Sequence, residues 1–330
     1  MRKKMSQPVP MVEIWRGPFL ESMHTGHAVI CDAAGGIIEA WGNPDQVVLS
    51  RSSSKMIQAL PLIDSGAADA MGLTPQHLAL ACASHGGAPM HTQRVQAWLE
   101  TLDLTDDALR CGAHMPYDPV THDQMLIAGE KPCQRHNNCS GKHAGFLTLS
   151  KHLGGDSGYI DTDHPVQKAV LEAFERLTSE TSPGFGIDGC SAPNFASSLH
   201  GMARAMARFA ASPEDSAEAR LHQAMRLHPE LVAGENRACT DLMRATDGKV
   251  AIKTGAEGFF NVIIPEQKIG IALKITDGTT RASECAIAAI LVKLGVLAPD
   301  HPATMKYVNA PILNRRGVTT GHMRAAPALL

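Results

Sequence analysis

No stretch of this chain approaches the roughly 20 consecutive apolar residues that a membrane-spanning helix needs. Charge of one sign is also missing. Thirty Lys and Arg stand against 33 Asp and Glu, a net charge of −3, which gives no reason to expect nucleic acid or an anionic membrane as partner. Aromatic residues amount to only 4%. That scarcity does not change the class, because 44% hydrophobic and 19% charged residues are ordinary for a soluble globular protein. The N-terminal "MRKKMSQPVPMVEIWRG" begins with a basic cluster, but no apolar run of signal-peptide length follows it. A cytoplasmic location is therefore expected. No linker-like break, internal repeat or low-complexity tract interrupts the composition. The eight cysteines (Cys31, Cys82, Cys111, Cys133, Cys139, Cys190, Cys239 and Cys285) are scattered. In a reducing compartment that pattern predicts free thiols or metal ligands rather than a disulfide framework.

What is present is a chain of 330 residues, enough to bury a substantial core. "HAVICDAAGGIIEAWGNPD" reads as a hairpin, with apolar runs at Ala28–Cys31 and Ile37–Trp41 around the turn residues Asp32–Gly36. A helix is expected from about Ser52. "HTQRVQAWLETL", "HPVQKAVLEAFERL", "PNFASSLHGMARAMARFA", "SAEARLHQAMRL" and "ENRACTDLMRAT" carry apolar residues at helical spacing. Residues 104–160 are rich in His, Pro, Gly, Asn and Asp, which predicts long ordered loops of the kind that build sites. After Gly248 three β-rich segments follow, with Pro265–Lys268 as a tight hairpin, and "RASECAIAAILVKLG" closes the core as a helix. Strands at both ends and helices between them predict an α/β fold. One sheet is built from both termini and flanked by helices, with a helical subregion over roughly 85–247, all in a single domain of residues 1–330.

The stretch "LSRSSSKMIQALP" fits S-x-x-K in one way, with Ser52 and Lys55. Residues three apart on a helix share a face, so this hydroxyl and amine can meet. A serine hydroxyl needs a base to become a nucleophile. A lysine serves only when neutral, which burial and a nearby cation such as Arg51 would favour. Serines before a helix also commonly act as caps, so the motif alone does not decide. Lys253-Thr254-Gly255, at the end of a predicted strand, supplies a K-T-G. S-x-x-K on an early helix with K-T-G on a late strand is the combination of serine β-lactamases and penicillin-binding proteins. Ser84, in "ACASHGG", occupies the place of their middle S-D-N motif but is followed by His85. Finally, "NNCSGKHAG" and "DGCSAPN" hold Cys139, His143 and Cys190, which resemble part of a zinc site, and Cys133 and His136 are close enough in sequence to compete.

Taken together, "GNPDQVVLSRSSSKMIQALP", "CASHGG", "NNCSGKHAG", "DGCSAPN", "VAGENRACTDLMRATDG" and "KTGAEG" resemble the inducible, zinc-containing asparaginase family of rhizobial type, over about residues 12–320. The resemblance implies a β-lactamase-like and glutaminase-like fold, a homodimer, and hydrolysis of L-asparagine to L-aspartate and ammonia. It also implies two Ser–Lys tandems, Ser52 with Lys55 and Ser84 with Lys253, and zinc held by Cys139, Lys142 and Cys190. Lys142 enters only through that resemblance, since spacing alone would have suggested His143. Members of the family can carry a further cysteine where this chain has His136. An amino-acid substrate needs a cation and an acid beside the site, for which Arg51, Asp188 and Glu257 are the candidates. The competing readings are a glutaminase, a penicillin-binding-like serine acylase, and a non-catalytic zinc-stabilised binding protein. The last would be expected to have lost a tandem residue, and all four are present.

Overall fold

A computed structural model describes residues 7–330. The strands, in chain order, are β1 (Val9–Arg16), β2 (Phe19–Cys31), β3 (Ile37–Trp41), β4 (Val47–Leu49), β5 (Phe185–Ile187), β6 (Pro193–Ser198), β7 (Ala251–Gly255), β8 (Phe259–Ile264), β9 (Ile269–Ile275), β10 (Pro311–Leu313) and β11 (Thr319–Ala325). The chain forms two compact units. One is the chain up to Ser53 with Ser198–Ala211 and Asp241–Leu330; the other is Ser54–Ser197 with Ser212–Thr240.

The first unit is built on an antiparallel sheet in the order β10-β11-β1-β2-β9-β8-β7. The long strand β2 is its hinge of connectivity. Its first half pairs with β1, its second half with β3 on the same edge, and Gly26–Cys31 pairs with β9 on the other. The register sets His27 opposite Lys274, so both side chains stand on one face of the sheet. The expected 28–41 hairpin, the β-rich C-terminal block and the sheet assembled from both termini are all present. Pro265–Gln267 forms a 3-10 turn, and Lys268 closes it in the left-handed region.

The helix Leu199–Ala211 packs on β2, β8 and β9, and the helix Thr280–Lys293 packs on β1, β8, β9 and β11. Every residue of β8 is buried, as expected for a strand covered on both faces. The approach of the first of these helices is close. A Cβ at Gly270 would meet the backbone of Ala203, Met206 and Ala207.

Numbered in chain order, these two helices are α8 and α12. The second unit holds α1 (Lys55–Asp64), α2 (Ala67–Ala70), α3 (Pro75–Ala81), α4 (Pro89–Thr101), α5 (Pro119–Ala128), α6 (Ser140–His152), α7 (Pro165–Thr178), α9 (Ala217–Leu227) and α10 (Pro229–Val232). Helix α11 (Ala238–Ala245) bridges the sequence boundary, and α13 (Pro302–Tyr307) belongs to the first unit. In α7, Val166, Val170, Ala173, Phe174 and Leu177 form the buried stripe, each large side chain contributing about 1.5–3 kcal/mol. Helix α1 is different: Lys55 to Ile63 are all buried, and it packs on α3, α6, α7 and α9. Residues Ser140–Ser150 of α6 are likewise all buried.

Two expectations need correction. The stretch 104–160 is not all loop, since it contains α5 and α6. Asp118 caps α5 by accepting from the Thr121 N–H, and Pro119 occupies its first turn. "PNFASSLHGMARAMARFA" is not one helix: it divides at Ser198 into β6 and α8. Among the described residues, no helix is long and apolar enough to cross a membrane.

Candidate active site

In the second unit, Lys55 opens α1 and is fully buried. Its Nζ donates to the Ala83 carbonyl, to Ser84 Oγ at 3.0 Å and to Cys139 Sγ at 3.1 Å. Three acceptors match the three N–H bonds of an ammonium. The Ser84 hydroxyl, 3.0 Å away, is within the reach that proton transfer between a hydroxyl and an amine requires.

Ser84 follows the C-terminus of α3 and is held by its neighbours. Its N–H donates to the Val232 carbonyl at 2.9 Å, and the His85 N–H donates to the Asn138 carbonyl at 3.2 Å. The His85 ring is fully buried. Its Nδ1 accepts from the Gly87 N–H at 3.1 Å, so Nε2 carries the proton and donates to Ser140 Oγ at 2.9 Å. Burial and, next, the stacked His91 ring keep this imidazole neutral, well below its ordinary range.

In the first unit, Ser52 lies in the 3-10 turn Arg51–Ser54 that leads into α1. Arg51 is in the left-handed region at φ 51°, at a cost of about 1–2 kcal/mol for a side-chain-bearing residue. The K-T-G strand lies against this turn. A Cβ at Gly255 would stand 2.5 Å from both the Ser50 carbonyl and Ser53 Oγ, so only glycine permits the approach. Asn261 Nδ2 donates to the Ser53 carbonyl at 3.0 Å, fixing the turn from the neighbouring strand. Lys253, opposite Asn261 in the register, is buried and donates to the Thr254 carbonyl at 2.7 Å. Ser50 Oγ, Ser53 Oγ and Asn261 Oδ1 are buried without a hydrogen-bond partner among the described residues. Sequence reasoning missed Asn261. Its signal was a lone amide within the apolar run "FFNVII".

The structure thus brings Lys55 to Ser84. Ser52 and Lys253 belong to the first unit, Ser52 three residues before Lys55 in the chain. Arg51 and Glu257, two of the substrate-binding candidates, line one cavity of about 600 Å³ in that unit. Asp188 instead sits in the second unit, accepting from the Gly189 N–H at 2.7 Å and supporting positive charge on Lys142.

The metal candidates also lie together in the second unit. Lys142 Nζ donates to Cys190 Sγ at 3.0 Å. Hydrogen bonding with Cys139, and after it the Lys142 charge, outweigh burial and hold the Cys190 thiol well below its ordinary range. The same hydrogen bond and burial push Cys139 up. Burial pulls Lys142 down, but Cys190, Cys139 and Asp188 together raise it above its ordinary range. Beside this cluster His143 is fully buried, with Nδ1 2.9 Å from the Tyr159 hydroxyl, and burial holds the ring below its ordinary range although a hydrogen bond with Cys190 opposes it. Two cysteine sulfurs are soft donors of the kind zinc accepts, and a deprotonated lysine amine beside them would add a nitrogen donor. Zinc would need to displace the Lys142 proton. Among the described residues, no group of three His, Cys, Asp or Glu is placed to hold a metal; this set has two thiols and an amine. Cys133 and His136 pair with each other at 3.3 Å. All eight cysteines are free thiols.

A family model described as L-asparaginase II matches residues 12–325. The chain belongs to the L-asparaginase II family. Membership makes an amide hydrolase of a small-molecule substrate the coarse assignment for this chain. No protein of curated function matches it. Three solved structures are similar to this L-asparaginase II chain. One is a candidate β-lactamase from Bacteroides dorei, at 10% identity and TM-score 0.46, covering 82% of this chain and 93% of that one. Another is a β-lactamase from Mycobacterium bovis, at 13%, 0.37, 81% and 94% in the same order. The third is an octameric penicillin-binding protein homologue from Pyrococcus abyssi, at 14%, 0.37, 92% and 84%.

Proposed function

We propose that the chain is an L-asparagine amidohydrolase of the zinc-containing rhizobial type, forming L-aspartate and ammonia through a serine-bound acyl intermediate. The observation that carries this reading is the match of an L-asparaginase II family model to residues 12–325; Ser84, 3.0 Å from the buried Lys55 amine, is placed to orient that lysine. Ser52 loses its proton to Lys55 and its oxygen attacks the side-chain amide carbon. Backbone N–H groups near Ser52 hold the oxyanion. Ammonia leaves with a proton returned by a lysine, and water then hydrolyses the β-aspartyl ester, freeing aspartate and Ser52. Ser84 and Lys253 act as the second tandem, relaying protons or orienting Lys55. Arg51 meets the substrate carboxylate, and Glu257 or Asp188 its ammonium.

Cys139, Lys142 and Cys190 are the residues that would hold zinc. Bound there, the ion would cross-link the start of α6 to the 188–191 turn and order the 133–143 loop, leaving nucleophile and base to the tandems. The homodimer and the cytoplasmic location carry over as proposals, the first tested by sedimentation of the purified protein.

Ammonia release measured side by side with asparagine and glutamine tests the reading. Release from asparagine supports it. Release from glutamine alone favours the glutaminase alternative, which differs by one methylene, worth about 1–3 kcal/mol in an apolar pocket. Turnover or covalent trapping of a chromogenic β-lactam, with neither amino acid consumed, would favour the penicillin-binding-like alternative.

A further inference from the structure

The cavity of about 600 Å³ in the first unit falls within the range of about 300–1,000 Å³ that suits drug-sized ligands. A free amino acid leaves much of it empty. Its walls are not uniform. Arg51 and Glu257 border it beside the Ser52 turn, and the Glu257 charge acts on Lys274, which lines the same cavity. Val47 and Leu49, 55% and 41% exposed, alternate onto one face of β4 and line it as an apolar wall.

Two donors remain that asparagine recognition does not use. His27 is only 6% exposed. Its Nδ1 accepts from the Asn43 N–H at 2.9 Å, so its proton is on Nε2; the residue lines the cavity, and no partner for Nε2 is found among the described residues. Lys274, directly across from it on β9, donates to the Glu257 and Ile275 carbonyls. An ammonium has three N–H bonds, so one is left for a ligand. An imidazole N–H and an ammonium side by side on one sheet face form a receptor for a carboxylate.

We propose that this cavity is an extended subsite that admits L-asparaginyl dipeptides with an apolar second residue. The second side chain lies on Val47 and Leu49, and its terminal carboxylate is held by His27 and Lys274. Arg51 then donates to the peptide carbonyl, Glu257 takes the terminal ammonium, and the asparagine side-chain amide is presented to the reacting serine. This inference rests on the asparaginase reading and deepens its substrate class.

The test compares L-asparagine, L-asparaginyl-L-valine and its C-terminal amide by ammonia release, in the wild-type protein and in Lys274→Met, His27→Leu and His27→Gln. The expected result is turnover of the dipeptide with a lower KM than asparagine, and a KM at least tenfold higher for the C-terminal amide. In Lys274→Met and His27→Leu, kcat/KM for the dipeptide relative to asparagine falls at least tenfold, and His27→Gln, which keeps a donor near Nε2, recovers most of it. Turnover of asparagine without the dipeptide, or a ratio unmoved in Lys274→Met, overturns the inference and leaves the asparaginase reading standing. If neither compound is turned over, the asparaginase reading fails. Calorimetry with the dipeptide on Ser52→Ala protein then decides the subsite: binding lost in the Ser52→Ala/Lys274→Met double variant supports it, and no binding overturns it.

Discussion

At the scale of single residues, the central feature is a lysine with no exposed surface whose amine touches a hydroxyl, a carbonyl and a thiol. Burying an amine is costly unless each of its hydrogens finds a partner, and here each does. Ser52→Ala is expected to lower kcat for asparagine by about three orders of magnitude or more, with the melting temperature nearly unchanged. More than a tenth of the wild-type rate would remove Ser52 as nucleophile. Gly255→Ala makes a different prediction. Its new methyl would press on Ser50 and Ser53, so it should lose activity and also about 1–3 kcal/mol of stability, read from chemical denaturation. The Ser52 and Lys253 motifs were legible because S-x-x-K and K-T-G are local. The Lys55–Ser84 and Lys55–Cys139 contacts, with partners 29 and 84 residues away, were not, because only the packing of α1, α3 and α6 creates them.

Elements with one wet face could be read from periodicity. The stripe of α7 is of that kind, whereas the three β-rich segments after Gly248, buried along most of their length, could be read as short apolar runs bounded by turns. Helix α6 could not, because Ser140–Ser150 are buried on every side and leave no amphipathic pattern. Strand β6 was hidden for another reason. Its residues also fit the helical spacing of α8, and only pairing with β5 reveals the strand. Two outcomes belong to this scale. Gly270→Ala would drive a methyl into the backbone of α8 and is expected to cost about 3 kcal/mol or more, measured as a shift in denaturation midpoint. Stripping zinc with a chelator is expected to lower the melting temperature and to speed amide hydrogen exchange in residues 133–143. Protein purified without chelator and found free of zinc, with exchange in that loop already slow, would contradict the structural role given to the metal.

For the molecule as a whole, buried histidines set the acid limit of stability. His27, His77, His85, His91 and His222 are all held below their ordinary range, burial being the largest cause for each. For His222, helped by the Arg226 charge, the value falls from 6.5 to about 4. Unfolding exposes these rings, so below pH 6.5 the unfolded chain binds protons that the folded chain refuses. The stability they leave intact above pH 6.5 is lost as pH falls toward about 4, on the order of 3 kcal/mol for His222 alone. Denaturation midpoints measured from pH 7.5 to 4.5 should fall steeply below 6.5, and His222→Leu should flatten part of that slope. An equal slope in the variant would show that this ring does not contribute.

Acid quenching of the protein during asparagine turnover, followed by peptide mass spectrometry, tests the proposed chemistry most directly. The account predicts an aspartyl ester on the peptide containing Ser52, absent when asparagine is omitted. Steady turnover with no serine ester trapped, or an ester on Ser84 while Ser52→Ala retains full activity, would contradict it.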